Sequence, residues 1–279
     1  LAQHDNRSVR FMVRIAVCGS AGRMGRRIVA LAHEDPELSI TGAVEKPGEP
    51  AIGCDAGEIA GIRRLSVPVT DNLADAIKGA DVAIAFINNP EATVEQAAIC
   101  RAAAKPLVLG TTGLTSEQEQ AFKDAAQGIA VVKTSNFSVG VTVLLRLVEE
   151  AAHLLGPRFN CEIVEAHHTL KRDAPSGTAI SLAKAVAKTW GWDFEKSVRH
   201  GRTGITGERP VDEIGMHSLR AGDIVGQHDV LFGGVGESIE LRHRAQSRDT
   251  FAMGALRAAK WVVGKPKGLY DMFDVLALR

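Results

Sequence analysis

The first half of the chain alternates short apolar runs with amphipathic stretches. Residues 13–17 form a β-rich run that stops at glycines, and 23–33 follow with helical spacing. Residues 38–45, 67–70, 81–87, 107–111 and 129–134 read as further strands, and 72–78, 90–104 and 115–126 as the helices between them. Pro90 sits at a favoured first-turn position. Thr115 with Gln118 has the spacing of a capping box. Strands that are apolar throughout, separated by helices, predict a parallel sheet covered on both faces. Past residue 137 the pattern changes. Residues 141–155 and 176–190 read as helices, the second carrying Ile180, Ala183, Val186 and Ala187 at helical spacing. Residues 159–168 read as a strand. The stretch 199–247 is glycine-rich and strand-like, with alternation over 238–242. It predicts an open mixed or antiparallel sheet with one face under the two helices. A last helix spans 251–263, with Gly264 stopping it and Pro266 beyond.

The fold class expected is α/β. An N-terminal Rossmann-like dinucleotide-binding domain, 13–137, is completed by the C-terminal helix in 248–279. A second α+β domain, 138–247, is built on the open mixed sheet and is expected to bind substrate. Residues 1–12 read as a tail or an expression remnant. The 279 residues carry 33 Lys plus Arg against 33 Asp plus Glu. Zero net charge gives no general attraction to nucleic acid or anionic lipid. Aromatics at 5% are too sparse for a base-stacking platform. There is no signal-peptide layout and no transmembrane-length apolar run. Cys18, Cys54, Cys100 and Cys161 lack metal-ligand spacing and read as buried free thiols of a cytoplasmic protein.

Gly19, Ser20, Ala21, Gly22, Arg23, Met24 and Gly25 join the first strand to the first helix. Glycines there allow a tight turn and let backbone N–H groups approach a pyrophosphate at a helix N-terminus. Glu45 ends the second strand, where an acidic residue meets a ribose hydroxyl, and Lys46 beside it suits a 2′-phosphate. Two more loops follow strands: Gly110, Thr111 and Thr112, and Thr134, Ser135, Asn136 and Phe137. Their small polar residues suit a nicotinamide and its ribose. Phe86 fits a core position and a cofactor wall equally. The densest polar stretch is 165–179, which leaves a strand and enters a helix. It carries Glu165, His167, His168 and Lys171, then Ser176, Gly177 and Thr178 at the helix start. Such an N-terminus holds carboxylates, and Lys171 and His168 can bond the same anion. Adjacent His167 and His168 point to opposite sides of a strand, so they have different tasks and no shared metal.

Together these segments resemble the dihydrodipicolinate reductases over nearly the whole chain, 15–276. The stretch 165–179 matches that family's long E-[AI]-H-H-x-x-K-x-D-x-P-S-G-T-A signature. The glycine loop, 110–112, 136–140 and 220–223 match as well. The segment from Phe86 to Glu91 is one residue longer than the family's, and Lys46 stands where the family often has Arg. The resemblance implies an oxidoreductase of lysine (diaminopimelate) biosynthesis that reduces 4-hydroxy-tetrahydrodipicolinate to tetrahydrodipicolinate with NADPH or NADH. It implies His167 and Lys171 as the acid–base pair. His168, Ser176, Gly177 and Thr178 would bind the substrate carboxylates. Residues 19–24, Glu45, Lys46, Phe86, 110–112 and 134–137 would bind the cofactor. It further implies a cytoplasmic homotetramer that binds no metal, membrane or nucleic acid. The rivals are another two-domain dehydrogenase, a dinucleotide sensor without turnover, and a structural or nucleic-acid partner protein.

Overall fold

The computed structural model describes residues 12–87 and 89–279, so 1–11 of the expected tail lie outside the described residues. In chain order the elements are β1 (Val13–Cys18), α1 (Arg23–Glu34), β2 (Leu38–Val44), α2 (Ala56–Ile59), β3 (Val69–Thr70), α3 (Leu73–Ala76), β4 (Val82–Ala85), α4 (Pro90–Ala102), β5 (Leu107–Leu109), α5 (Ser116–Ala125) and β6 (Ala130–Lys133). Then come α6 (Val139–Leu155), β7 (Asn160–His167), α7 (Gly177–Trp190), α8 (Phe194–Ser197), β8 (Val198–His200), β9 (Ile214–Arg220), β10 (Gly226–Gly233), β11 (Ser238–Ala245), α9 (Asp249–Val262), β12 (Gly268–Tyr270) and α10 (Met272–Val275). The chain divides into two compact units. One runs up to Phe137 and regains Phe251–Ala277; the other is Ser138–Thr250.

The first unit holds a seven-stranded sheet in the order β12-β6-β5-β4-β1-β2-β3, every neighbouring pair parallel. Its strands are buried on both faces, which is why their sequences run apolar without alternation. Asn89 caps α4 ahead of Pro90, and Thr115 with Gln118 forms the reciprocal capping box. Each cap fixes where a helix leaves its loop. Within this unit α9 packs closely: a Cβ on Gly254 would lie 1.8 Å from the Phe137 carbonyl oxygen. Lys260 of α9 bridges Asp35 and Glu37 at 2.8 Å each. The short strand β12 adds the seventh member, a role that three residues of sequence do not announce.

The second unit holds a five-stranded sheet, β11-β10-β7-β9-β8. It is mixed: β7, β8 and β9 run parallel, while β10 runs antiparallel to β7 and β11. Its core joins Leu144 and Val148 of α6, the apolar row of α7, and Cys161, Ile163, Met216, Val230 and Phe232 of the sheet. The residues between them on β7 and β10, such as Glu162, Val164, Asp229 and Leu231, are half-buried instead. This two-residue alternation is the signature of a sheet covered on one side. The expectation of buried thiols is corrected at Cys54, which is exposed; Cys18, Cys100 and Cys161 are buried. Cys54 lies in the turn before α2, outside any strand. No helix among the described residues is long and apolar enough to cross a membrane.

Candidate functional site

In the first unit, β1 and β4 are neighbours, with β2 beyond one and β5 beyond the other. Connections leave that pair in opposite directions, so a crevice opens outside their carboxyl ends. The glycine loop leaves β1 there, and Phe86 follows β4. A pocket of about 570 Å³ results, lined by Gly19, Ala21, Gly22, Glu45, Lys46 and Phe86 among others. Gly19 needs its positive φ of 76°. A Cβ on Gly25 would stand 2.0 Å from the Gly19 carbonyl oxygen, so only glycine lets α1 start so close to the loop. Helix α1 begins after Gly22 with no side-chain cap and no acidic residue in its first turn. Its N-terminal amides are left for an anion, which suits a diphosphate. Glu45 accepts the Ala21 N–H at 2.8 Å, tying β2 to the loop. Lys46 pairs with Glu49 at 3.4 Å.

Other expected cofactor residues hold the loops by their side chains. Ser20 Oγ donates to the Val44 carbonyl. Buried Thr111 donates to the Ile87 carbonyl at 2.9 Å and accepts from Thr93. Thr134 Oγ1 donates to the Asn136 carbonyl and accepts the Asn136 N–H, closing a turn around exposed Ser135. Gly110 has no room for a Cβ, because the Phe86 ring lies 2.4 Å from where it would be. Phe86 therefore fills both readings: it lines the pocket and packs on Gly110 and on Phe137, 5.4 Å away. Phe137 is 2% exposed and backs Phe86 rather than facing the pocket. Residues 110–112 and 134–136 follow neighbouring strands but do not line this pocket.

In the second unit, Glu165 and His167 continue the buried row of β7 that Cys161 and Ile163 begin. The Glu165 side chain is fully buried. Its carboxylate accepts from His167 Nδ1 at 2.5 Å, from both Arg220 Nη atoms at 2.9 Å, and from the Ser176 N–H at 3.2 Å. Burial by itself raises this carboxyl, but Arg220 and His167 bring it below the usual range. A carboxylate at Nδ1 requires the proton on that nitrogen, which leaves Nε2 to exchange one. Burial, with the nearby Lys171 and Arg220 charges, lowers His167 despite the raising effect of Glu165. Gly226 would place even a Cβ 3.3 Å from Nε2, so its missing side chain keeps that edge of the ring clear.

The loop after β7 completes the site. Lys171 Nζ is held by both Asp173 oxygens at 2.8–2.9 Å, and Arg220 also donates to the Asp173 carbonyl at 2.7 Å. Ser176 caps α7, its Oγ accepting the Ala179 N–H at 3.2 Å. The first turn of α7 has no acidic residue, and Gly177 is exposed. His168 Nδ1 is buried and has no partner among the described residues. His167, His168, Lys171, Ser176, Gly177 and Thr178 thus belong to one strand, loop and helix start. Sequence reasoning assigned no catalytic or binding task to Glu165, Arg220 or His228. The one local signal was the i, i+2 spacing of Glu165 and His167, which puts them on one face of a strand. Arg220 arrives from β9 through the parallel register that sets it opposite His167.

The family profile "Dihydrodipicolinate reductase, N-terminus" matches residues 13–137, and "Dihydrodipicolinate reductase, C-terminus" matches 140–276. The 4-hydroxy-tetrahydrodipicolinate reductase of Anaeromyxobacter dehalogenans is 50% identical over 268 residues, covering 96% of this chain and 99% of the relative. That of Halorhodospira halophila is 49% identical over 264 residues, covering 95% and 98%. Among solved structures, dipicolinate-bound dihydrodipicolinate reductase from Paenisporosarcina sp. TG-14 matches with a TM-score of 0.72 and 27% identity, over 95% of this chain and 99% of that one. GenD2 from gentamicin A biosynthesis, solved with NAD, shares the fold at a TM-score of 0.59 and 14% identity, over 100% and 94%.

Proposed function

The chain belongs to the dihydrodipicolinate reductase family, and from that premise we propose how its residues carry out the family's reaction. It is an oxidoreductase of lysine biosynthesis that reduces 4-hydroxy-tetrahydrodipicolinate to tetrahydrodipicolinate with NADH or NADPH. Overall the substrate gains a hydride and a proton and loses its 4-hydroxyl as water. The observation that carries the assignment of roles is His167 itself. A buried carboxylate fixes its Nδ1 proton on the same strand that leads into the N-terminus of α7, whose first turn carries no acidic residue.

The nicotinamide supplies the hydride when bound. The amides at the start of α1 hold the diphosphate, and Glu45 and Lys46 take the adenosine ribose and its substituent. Phe86 walls the pocket, while the backbone of 110–112 and 134–137 serves the nicotinamide end. The Gly177 and Thr178 amides, the Ser176 hydroxyl and His168 hold the substrate carboxylates. His167 delivers a proton from Nε2 to ring carbon, as the ring electrons that accept hydride need an acid there. Glu165 stabilises the imidazolium that must form first, and Lys171, steered by Asp173, offsets substrate charge. Two bound carboxylates favour that imidazolium, countering the burial that lowers it.

We also place the enzyme in the cytoplasm, where free thiols persist. It would be a homotetramer built on the open sheets. The uncovered face carries exposed Leu219 and a charge ladder in which Glu162 meets Arg202, Arg209 and His217. Size-exclusion chromatography with light scattering tests the assembly. The functional test is NADH or NADPH oxidation at 340 nm, with substrate generated in place from pyruvate and aspartate semialdehyde. Turnover that disappears in His167→Ala is expected. Cofactor binding without substrate-dependent oxidation would overturn the reading in favour of a sensor.

A further inference from the structure

His228 is a buried imidazole for which the reaction above has no use. It lies on β10, 3% exposed, in the row that faces the helices. Its ring meets the edge of His167 at 5.3 Å between centroids and stacks on His243 at 6.5 Å. Nε2 stands 3.0 Å from Ser176 Oγ, the N-cap of α7. Nδ1 is buried with no partner among the described residues. Burial pushes the group down to about 3, so it is neutral and carries one proton on one nitrogen.

Which nitrogen carries that proton follows from the neighbours. A proton on Nδ1 would be a buried donor with nothing to meet. A bare lone pair there is the lesser penalty, because orphaned buried N–H groups are rarer than under-used acceptors. The proton therefore sits on Nε2 and is donated to Ser176 Oγ. That oxygen also accepts the Ala179 N–H, so both of its lone pairs are in use. Its own hydroxyl proton then has no acceptor among the described residues, and it stands at the helix start beside the Gly177 and Thr178 amides. An anion is the acceptor that this arrangement lacks.

We propose that His228 is a positioning residue: by donating to Ser176 it turns the Ser176 hydroxyl into a dedicated hydrogen-bond donor for a carboxylate of the cyclic substrate. The inference rests on the proposed reading of this loop as the dicarboxylate site, and it adds the residue that sets the polarity of that site. With apolar residues at position 228, Ser176 keeps its cap but its hydroxyl is free to turn elsewhere.

The test uses pyridine-2,6-dicarboxylate (dipicolinate) as an unreactive probe and isothermal titration of the full chain. The variants are Ser176→Ala, His228→Phe, the double variant and His228→Gln. A hydrogen bond to a charged group is at stake, so Ser176→Ala and His228→Phe should each weaken the probe about tenfold or more. The double variant should bind no worse than Ser176→Ala alone, since both changes remove one interaction. His228→Gln keeps an N–H donor at a similar reach and should restore most of the affinity and KM. Where His228→Phe does not fold, His228→Met lacks the donor and can still refill the space. Wild-type affinity in the apolar variants, or losses that multiply in the double variant, would overturn the inference. A wild-type protein that ignores the probe would overturn the dicarboxylate reading itself.

Discussion

Replacing Glu165 by Gln separates a carboxylate that acts on His167 from one that merely fills space. The amide keeps the shape but loses the charge. It also offers an N–H to atoms that are themselves donors: His167 Nδ1, both Arg220 Nη atoms and the Ser176 N–H. Arg220 would lose its charged partner in a buried setting, a change of about 3–5 kcal/mol. A fold stabilised by about 5–15 kcal/mol survives that, with a lower melting point. The catalytic effect is separate. Without a carboxylate, the amide can turn its own N–H toward Nδ1, which then serves as acceptor, and the tautomer that leaves Nε2 to work is no longer enforced. General acid catalysis contributes about 10²–10⁴-fold, so kcat should fall within that range while dipicolinate binding changes far less. The pH dependence gives a third readout. In the proposed role His167 acts as an acid, so activity should be lost as pH rises through its titration. Burial lowers that titration and Glu165 raises it. Removing Glu165 therefore moves the alkaline limb of kcat/KM to lower pH. The assay is NADH oxidation at 340 nm across pH 5–9, beside thermal melts. A variant that melts earlier yet keeps wild-type kcat and an unmoved limb would refute the reasoning and leave Glu165 a structural residue.

Gly25→Ala should abolish cofactor binding and destabilise the first unit, because the new Cβ would meet backbone at 2.0 and 2.6 Å that cannot yield; equilibrium dialysis with NADH and thermal melts check this. Lys171→Ala should lower kcat/KM with little change in melting point, since its partner Asp173 is largely exposed; unaltered kinetics would remove Lys171 from the site. His228 bears on acid stability. Its folded-state value is about 3 against 6.5 when unfolded, so the unfolded chain binds the extra proton and stability falls as pH drops below 6.5. The slope from this one group is at most about 1.4 kcal/mol per pH unit. Urea titrations at pH 6.5 and pH 5 should show a loss up to about 2 kcal/mol larger in wild type than in His228→Phe.

The helices and strands of the first unit were legible because each carries its own signal. Pro90 and the Thr115–Gln118 box mark starts, and unbroken apolar runs mark strands covered on both sides. Boundaries shrank where the sequence reading followed hydrophobicity past the last paired residue, as at 81–87, where only Val82–Ala85 pair. The short elements α2, α8, β8 and β12 carry too few residues for any periodicity to register. The residues of 165–179 were legible as chemistry because the loop is dense in polar groups and ends on a helix cap. The inward turn of the Phe137 ring, onto Phe86, was not legible, since nothing local in the sequence says which way that ring points.

By itself, the sequence determined the alternation that builds a parallel sheet, the glycine turn onto α1, and a strand–loop–helix with His167, Lys171 and Ser176 in it. These are properties of neighbours along the chain, governed by local backbone sterics, capping and periodicity. Only the tertiary structure decided what those groups do. Arg220 lies 55 residues from Glu165 and His228 lies 52 from Ser176. The pairing of β9 with β7 brings Arg220 to Glu165, and the seating of the start of α7 beside β10 brings Ser176 to His228, while burial there removes the water that would otherwise satisfy each group. The proton positions on His167 and His228 are set by what remains to bond with, and that is a fact of packing rather than of spacing.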